Sequence, residues 1–305
     1  MNRELSRRDF SKAVAATAGL SLLPAPALGF DPVKRIGGSR MKLSLAAYSF
    51  RNYLTDYRRG KTPKPGAMTL ESFVDLCAQY PLDGVELTSY YVPEPMPDAY
   101  LRQLRRRAFL LGLTVSGTAI GNTFTHPPGA KRDEEMAYTK RWIDRAAELG
   151  APTIRIFAGD VQKGSTEAQA RQWCVEAIRE ACAHAGTRGV ILALENHGGI
   201  VGTADQLLSI VKDVDSEWFG VNWDSGNFES ADAYGELAAI APYAVTSQIK
   251  ANIGSPKGSV PADWNRVIGI LRDAGYRGWV SLEYEEDEDA KAAVPRLLKE
   301  LERLT

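Results

Sequence analysis

The chain reads ILALE at 191–195, FGVNWD at 219–224, VTSQIK at 245–250 and WVSLE at 279–283, four strand-like segments of similar design. Each segment has a polar residue at or near its C-terminal end, and these residues are Glu195, Asp224, Gln248 and Glu283. Barrel enzymes place their chemistry at the ends of several separate strands. Three carboxylates and an amide, each from its own strand, predict one shared divalent cation.

The rest of the chain continues the alternation of strand and helix. Strand-like runs also cover residues 42–48, 84–88, 113–118, 153–157 and the wider span 190–195. Helical spacing of apolar residues covers 70–79, 100–111, 134–149, 166–185, 204–211, 233–240, 264–274 and 290–304. Eight strands alternating with eight helices predict a single-domain α/β fold, a (β/α)8 TIM barrel over residues 41–305.

Residue parity within the strands sharpens this prediction, because alternate strand residues face the barrel interior and the surrounding helices. One set is apolar and suits the helix layer. The other set is polar in every strand and includes Ser44, Glu86, Ser116, Arg155, Glu195, Asp224, Gln248, Lys250 and Glu283. Buried polar groups need partners. We expect a bound ion and a polyhydroxylated ligand to supply them.

Composition and charge are those of an ordinary globular protein. The chain has 305 residues, of which 44% are hydrophobic and 25% charged, and its formal net charge is −1. A chain this close to neutrality gives no electrostatic reason to bind nucleic acid. The expected partner is a small carbohydrate, and homo-oligomer formation stays open.

The N-terminus resembles a targeting segment rather than a part of the fold. Arg7 and Arg8 precede a short apolar run, and Ala25-Pro26-Ala27 offers a cleavage site. We interpret residues 1–27 as a twin-arginine signal peptide and 28–40 as a linker. An ordinary Sec signal or a basic helix is the alternative. The expected location is periplasmic or otherwise exported, with no stable membrane anchor after cleavage.

Five short motifs carry a family resemblance. They are AYSF at 47–50, GVEL at 84–87, LENHGG at 194–199, NWDSGN at 222–227 and SLEYE at 281–285. Their order and strand placement resemble the sugar phosphate isomerase/epimerase superfamily, the xylose isomerase-like TIM barrels that include ketose 3-epimerases. The resemblance implies one divalent metal held by Glu195, Asp224, the polar residue of strand seven and Glu283. It also implies that Glu195 and Glu283 move the proton.

Strand seven departs from the pattern of that superfamily. The superfamily usually has a histidine there, and this chain has Gln248. An all-oxygen donor set favours Mg²⁺, Mn²⁺ or Ca²⁺ over Zn²⁺. The expected cofactor is therefore one divalent ion, with Mn, Mg or Co preferred to Zn.

The chemistry that suits such a site is proton abstraction from the carbon next to a carbonyl. Glu195 and Glu283 are the candidate acid and base. His197, two residues after Glu195, is a further candidate base, with a structural histidine as the alternative.

Other inward or strand-end residues are candidates for substrate binding. They are Arg155, Lys250, Asn227, Tyr48 and Glu86. For Arg155 and Lys250 the alternative is charge balance for the carboxylates, and for Asn227 it is a capping role.

The predicted function is an exported, metal-dependent isomerase or epimerase of a sugar or keto-sugar. A 3-keto-glycoside lyase or hydratase on the same site, and a non-catalytic sugar-binding barrel, are the alternatives. An apurinic endonuclease shares the barrel, but only three histidines and a near-neutral charge disfavour it.

Overall fold

The structure is a computed structural model that describes residues 31–59, 62–63 and 65–305. The predicted signal peptide, residues 1–27, and residues 28–30 of the predicted linker lie outside the described residues. Within the described part, residues 31–39 form no helix or strand and pack at the N-terminal end of the barrel. Arg35 donates hydrogen bonds there to the carbonyl oxygens of Ala244 at 2.5 Å and Ala274 at 3.3 Å.

Eight parallel strands form a closed barrel, as the sequence predicts. They are β1 (Arg40–Ala46), β2 (Gly84–Glu86), β3 (Thr114–Ala119), β4 (Thr153–Ile156), β5 (Ile191–Glu195), β6 (Phe219–Asp224), β7 (Ala244–Ile249) and β8 (Arg277–Leu282). Each strand pairs with its neighbours in chain order, and β8 closes the barrel against β1. This is a single TIM barrel.

Eight α-helices cover the outside of the barrel in the described part of the chain. They are α1 (Leu70–Cys77), α2 (Tyr100–Leu110), α3 (Ala130–Leu149), α4 (Glu167–Arg188), α5 (Ala204–Val214), α6 (Ala233–Ile240), α7 (Trp264–Asp273) and α8 (Ala290–Glu302). Thr69, Thr166 and Thr203 begin three of them with reciprocal capping boxes. Gly150 and Gly189 end two of them in the left-handed conformation that glycine adopts without strain.

The two faces of the strands have the predicted character. Leu45, Val85 and Ile154 are fully buried between the barrel and its helices. Inside the barrel the contacts are polar: the hydroxyl oxygens of Ser44 and Ser116 lie 2.7 Å apart, from strands β1 and β3. The polar interior therefore extends from the middle of the barrel to the C-terminal ends of its strands.

Short elements follow several strands at the C-terminal end of the barrel. Single 3-10 turns span Ala47–Phe50 after β1 and Ser89–Tyr91 after β2. A two-stranded ribbon pairs Asn252–Ile253 with Val260–Pro261 after β7. None of the helices in the described residues has the length and apolar character needed to cross a membrane.

Candidate active site

The strand-end residues singled out in the sequence lie together inside the barrel mouth. Seven of them are buried, with exposed fractions between 0% and 9%: Glu86, Arg155, Glu195, Asp224, Gln248, Lys250 and Glu283. Six different strands contribute them: five residues lie on a strand, and Lys250 and Glu283 directly follow one. Alternation along each strand explains the convergence, because each of these positions faces inward at the same end of the barrel.

Glu195 lies between a cation and an amide. Arg155 Nε lies 2.9 Å from Glu195 Oε2, and Asn227 Nδ2 donates to Glu195 Oε1 at 2.8 Å. The other nitrogens of Arg155 donate to the carbonyl of Ile120 at 3.0 Å and to the hydroxyl of Tyr90 at 3.1 Å. Two hydrogen bonds thus hold the guanidinium, and it forms a close ion pair with the Glu195 carboxylate.

The Lys250 ammonium lies among three carboxylates. Its Nζ is 2.5 Å from Glu283 Oε2 and 3.5 Å from Asp224 Oδ2, and it also pairs with Glu285 at the rim. Asp224 Oδ1 accepts a hydrogen bond from the Gly226 amide, whereas its buried Oδ2 accepts none from any residue that the structure describes. Among the described residues that form ion pairs, Lys250 is therefore the cation nearest to Asp224 Oδ2.

The Gln248 amide links two further groups across the barrel. Its Nε2 donates to Glu86 Oε1 at 2.8 Å and lies 3.3 Å from Glu283 Oε1. Its Oε1 accepts a hydrogen bond from Asn222 Nδ2 at 2.7 Å. The amide therefore turns its donor group toward the carboxylates and its oxygen away from them.

Burial raises the pKa of several of these carboxylic acids. It raises the pKa of Glu86 and of Asp224 to about 8 and the pKa of Glu195 to about 7, and the charge of Glu283 adds to each shift. Burial alone would lower the pKa of Lys250, but the surrounding carboxylates together raise it above its ordinary value. The lysine stays charged at neutral pH, and protons neutralise part of the acidic excess.

The four predicted metal ligands meet, but their arrangement does not fit a divalent cation. Two of the four predicted ligands, Asp224 and Glu283, are paired with the Lys250 ammonium. Glu195 is paired with an arginine, and Gln248 offers the carboxylates its nitrogen. Among the residues that the structure describes, no group of three or more His, Cys, Asp or Glu is placed to hold a metal ion. The predicted metal stays a prediction of the sequence.

A polar cavity of about 660 Å³ opens beside this cluster. Its lining comes from the ends of β3 to β6: Asn122, Thr123, Phe157, Gly159, Asp160, His197, Gly198, Gly199, Gly202, Asn227 and Glu229. Asn227 belongs both to this lining and to the contacts of Glu195, so it connects the cavity with the buried carboxylates. The cavity is the natural place for a ligand.

His197 and Tyr48 lie at the rim rather than in the cluster. His197 faces the cavity and packs on Phe157, with ring centroids 4.5 Å apart. Partial desolvation of the ring, which is still open to the cavity, and the charge of Arg155 lower the pKa of His197 below its ordinary value. Tyr48 is half-buried and meets the Tyr90 ring edge to face at 6.2 Å.

Comparison with protein families identifies the fold group. A family model described as xylose isomerase-like TIM barrel matches residues 74–304. The chain belongs to the xylose isomerase-like TIM barrel family. A comparison with curated proteins gave no match.

Solved structures similar to this family member include three enzymes. D-psicose 3-epimerase from Clostridium cellulolyticum is 20% identical, with a TM-score of 0.65 and coverage of 85% of this chain and 89% of its own. The E. coli 3-keto-D-glucoside 4-epimerase is 15% identical, with a TM-score of 0.67 and coverage of 87% and 100%. A probable 3-DHS dehydratase from Bacillus anthracis is 19% identical, with a TM-score of 0.64 and coverage of 86% and 99%. At these identities the likeness shows the fold.

Three residues of the candidate site were not among the site residues predicted from the sequence. Tyr90 holds Arg155, Asn222 holds Gln248, and Phe157 lies under the cavity with its ring 3.9 Å from the Arg155 guanidinium carbon. The sequence could have indicated Asn222 and Phe157 as site residues, since Asn222 lies near the end of β6 and Phe157 directly follows β4. Tyr90 lies in the turn after β2, and only the structure shows that it folds back over the barrel.

Proposed function

We propose that this protein is an isomerase or epimerase of an unphosphorylated sugar or keto-sugar, and that it works by removing a proton from the carbon next to a carbonyl. The observation that carries the proposal is the position of Glu195 and Glu283. They enter the same barrel mouth from β5 and β8, close enough for the charge of Glu283 to act on Glu195, and Asn227 connects Glu195 to the cavity.

Two carboxyl groups and two fixed cations match the needs of this reaction. Glu195 takes the proton from carbon, and the electrons of the broken C–H bond move onto the carbonyl oxygen as an enediolate. Glu283 takes up a proton from solvent and delivers it to carbon, and Glu195 releases its proton to solvent. The charges of Arg155 and Lys250 lower the energy of the negative intermediate, because they are held in place before it forms.

The cavity lining supports an uncharged polyhydroxylated substrate. No lysine or arginine is among the described residues that line it, and Asp160 and Glu229 add negative charge. A phosphate group would meet repulsion there. Asn122, Thr123 and Asn227 offer hydrogen bonds to hydroxyl groups, and the Phe157 ring offers an apolar surface to the C–H face of a sugar.

The comparisons support the same class of chemistry. Two of the similar structures are named as epimerases of a ketose and of a keto-glucoside, and the third as a dehydratase. The dehydratase is the observation that favours a second candidate, a 3-keto-glycoside lyase. Such a lyase would remove the same α-proton and then expel a β-leaving group, and release of the aglycone from a 3-keto-glucoside would identify it.

The test is a screen of ketoses and 3-keto-glucosides in D₂O, followed by NMR. The expected result is deuterium at the carbon next to the carbonyl, together with an isomeric product. Glu195→Gln and Glu283→Gln should lower the rate by about 10²–10⁴-fold, the usual contribution of a positioned acid or base. Glu176→Gln on the outer face of α4 is the matched control and should leave the rate unchanged.

Sugar binding without exchange or turnover in the unmodified protein would contradict the proposal and favour a binding protein. Nicking of DNA at abasic sites would favour an endonuclease instead.

We also infer from residues 1–27 that the protein is exported by the twin-arginine route. After expression of the full chain, cell fractionation should find the cleaved protein outside the cytoplasm, and Arg7→Lys with Arg8→Lys should retain the protein inside. Export of this double variant at the normal level would contradict the route and favour a Sec signal.

A further inference from the structure

We propose that the Lys250 ammonium is the resident cation of the acidic site, in the place where a divalent ion would otherwise bind, and that this chain holds its active carboxylates together without a metal. This goes beyond the proposed function, because it concerns what organises the site and not which substrate is used.

The first observation is the set of carboxylates around one nitrogen. Lys250 Nζ contacts oxygens of Glu283 at 2.5 Å and Asp224 at 3.5 Å and pairs with Glu285. The residue is 9% exposed, so its ammonium is largely withdrawn from solvent and faces these carboxylates. A divalent ion at the same carboxylates would lie against the ammonium, and repulsion between the two charges would oppose its binding.

The second observation is that the surrounding structure is shaped for the lysine. Its backbone amide donates to the Ser225 hydroxyl at 2.8 Å, and its carbonyl accepts from Trp264 Nε1 at 2.8 Å. Gly226 packs on the side-chain stem, and a Cβ added there would lie 2.6 Å from Lys250 Cγ. Both backbone groups are hydrogen-bonded, and the close approach of Gly226 leaves room for the side-chain stem, so the surrounding chain positions the ammonium.

The third observation concerns the residue at the seventh strand. Gln248 Oε1 is used by Asn222, and Gln248 Nε2 faces Glu86 and Glu283. An amide nitrogen cannot ligate a cation. Gln248 therefore adds a hydrogen-bond donor to the acidic cluster and Lys250 adds a positive charge, so groups of the chain itself stabilise the carboxylates.

The experiment measures metal binding without reference to activity, so its failure and the failure of the proposed function are distinguishable. The mature protein is dialysed against EDTA, and its melting temperature is followed as Mn²⁺, Mg²⁺ or Co²⁺ is added. Elemental analysis of the protein before dialysis gives its native metal content. Lys250→Met is compared with Lys212→Met, a matched control on the exposed face of α5.

The expected result is that the unmodified protein and Lys212→Met contain no stoichiometric metal and melt at the same temperature in EDTA and in each ion. Lys250→Met should melt lower in EDTA and regain stability as Mn²⁺ is added, because the freed carboxylates then bind the ion. A lysine with a merely structural role would not produce this gain of metal binding.

Two results would overturn the proposal. One is about one metal ion per chain in the unmodified protein, with a melting temperature that falls in EDTA. The other is a folded Lys250→Met protein that gains no stabilisation from any of the three ions. If Lys250→Met does not fold, the measurement on the unmodified protein decides alone.

Discussion

Glu195 lies between Arg155 and Asn227, and both contacts hold its carboxylate at the edge of the cavity. Burial outweighs the charge of Arg155 in setting its pKa, which rises to about 7. Lys250 lowers that pKa as well, whereas Glu283 and Glu285 raise it. A carboxylic acid that titrates near neutrality is well suited to take a proton and later release it.

This pKa predicts the pH dependence of the reaction. The base must be ionised, so kcat/KM should rise with pH through a midpoint of about 7 and level off above it. An unperturbed glutamate would already be ionised near pH 5.5 and would give a flat profile from there. Initial rates between pH 5 and 9 measure this, and a flat profile between pH 6 and 8 would contradict the role of Glu195.

At the residue scale, alternation along the strands was sufficient to predict which side chains meet. Glu86, Arg155, Asp224 and Lys250 all face inward at the strand ends as expected. The pairing among them was not predictable, because it depends on side-chain reach across the barrel. The sequence left two roles open for Lys250, substrate binding and charge balance, and in the structure its contacts are with carboxylates.

At the scale of elements, the loop after β3 forms one wall of the cavity. Asn122 Nδ2 donates to the Phe157 carbonyl at 2.8 Å, and its Oδ1 accepts from the Phe157 amide at 3.0 Å. These reciprocal bonds fasten the loop to the end of β4. Thr125 adds a bond to the carbonyl of Asp160 at 2.6 Å.

Asn122→Ala should therefore loosen the wall without touching the acids. We expect KM to rise by about tenfold, which corresponds to about 1.4 kcal/mol of lost binding, while kcat changes less. Steady-state kinetics measure both constants. Gln172→Ala, on the exposed outer face of α4, is the control. An equal fall in kcat with unchanged KM would contradict a binding role for this loop.

The order and number of elements followed from the sequence, and their bounds differ from the prediction by a few residues. Strand β6 and helix α6 match the predicted ranges 219–224 and 233–240. The loop after β3 lines the cavity, and the loop after β1 places the Arg58 guanidinium 3.0 Å from the centroid of the Tyr90 ring. These contacts join distant parts of the chain, which local periodicity cannot show.

On the scale of the whole molecule, one end of the barrel contributes contacts that maintain the fold, and the other end carries the candidate site. Residues 31–39 close the N-terminal end through Arg35 and Ser39, whose hydroxyl donates to the Tyr276 carbonyl at 2.8 Å. The C-terminal end holds the buried carboxylates, their two cations and the cavity. Function can therefore change at one end while the other maintains the fold.

The proposed reaction requires that a proton leaves the carbon next to a sugar carbonyl and exchanges with solvent. This can be measured in ordinary water with a keto-sugar substrate, found in the screen, that carries deuterium at that carbon. We expect the product to form with the label lost to solvent, and we expect Glu195→Gln and Glu283→Gln to slow this loss by about 10²–10⁴-fold. Product that keeps the full label, as a direct hydride shift would give, would contradict the proposed reaction.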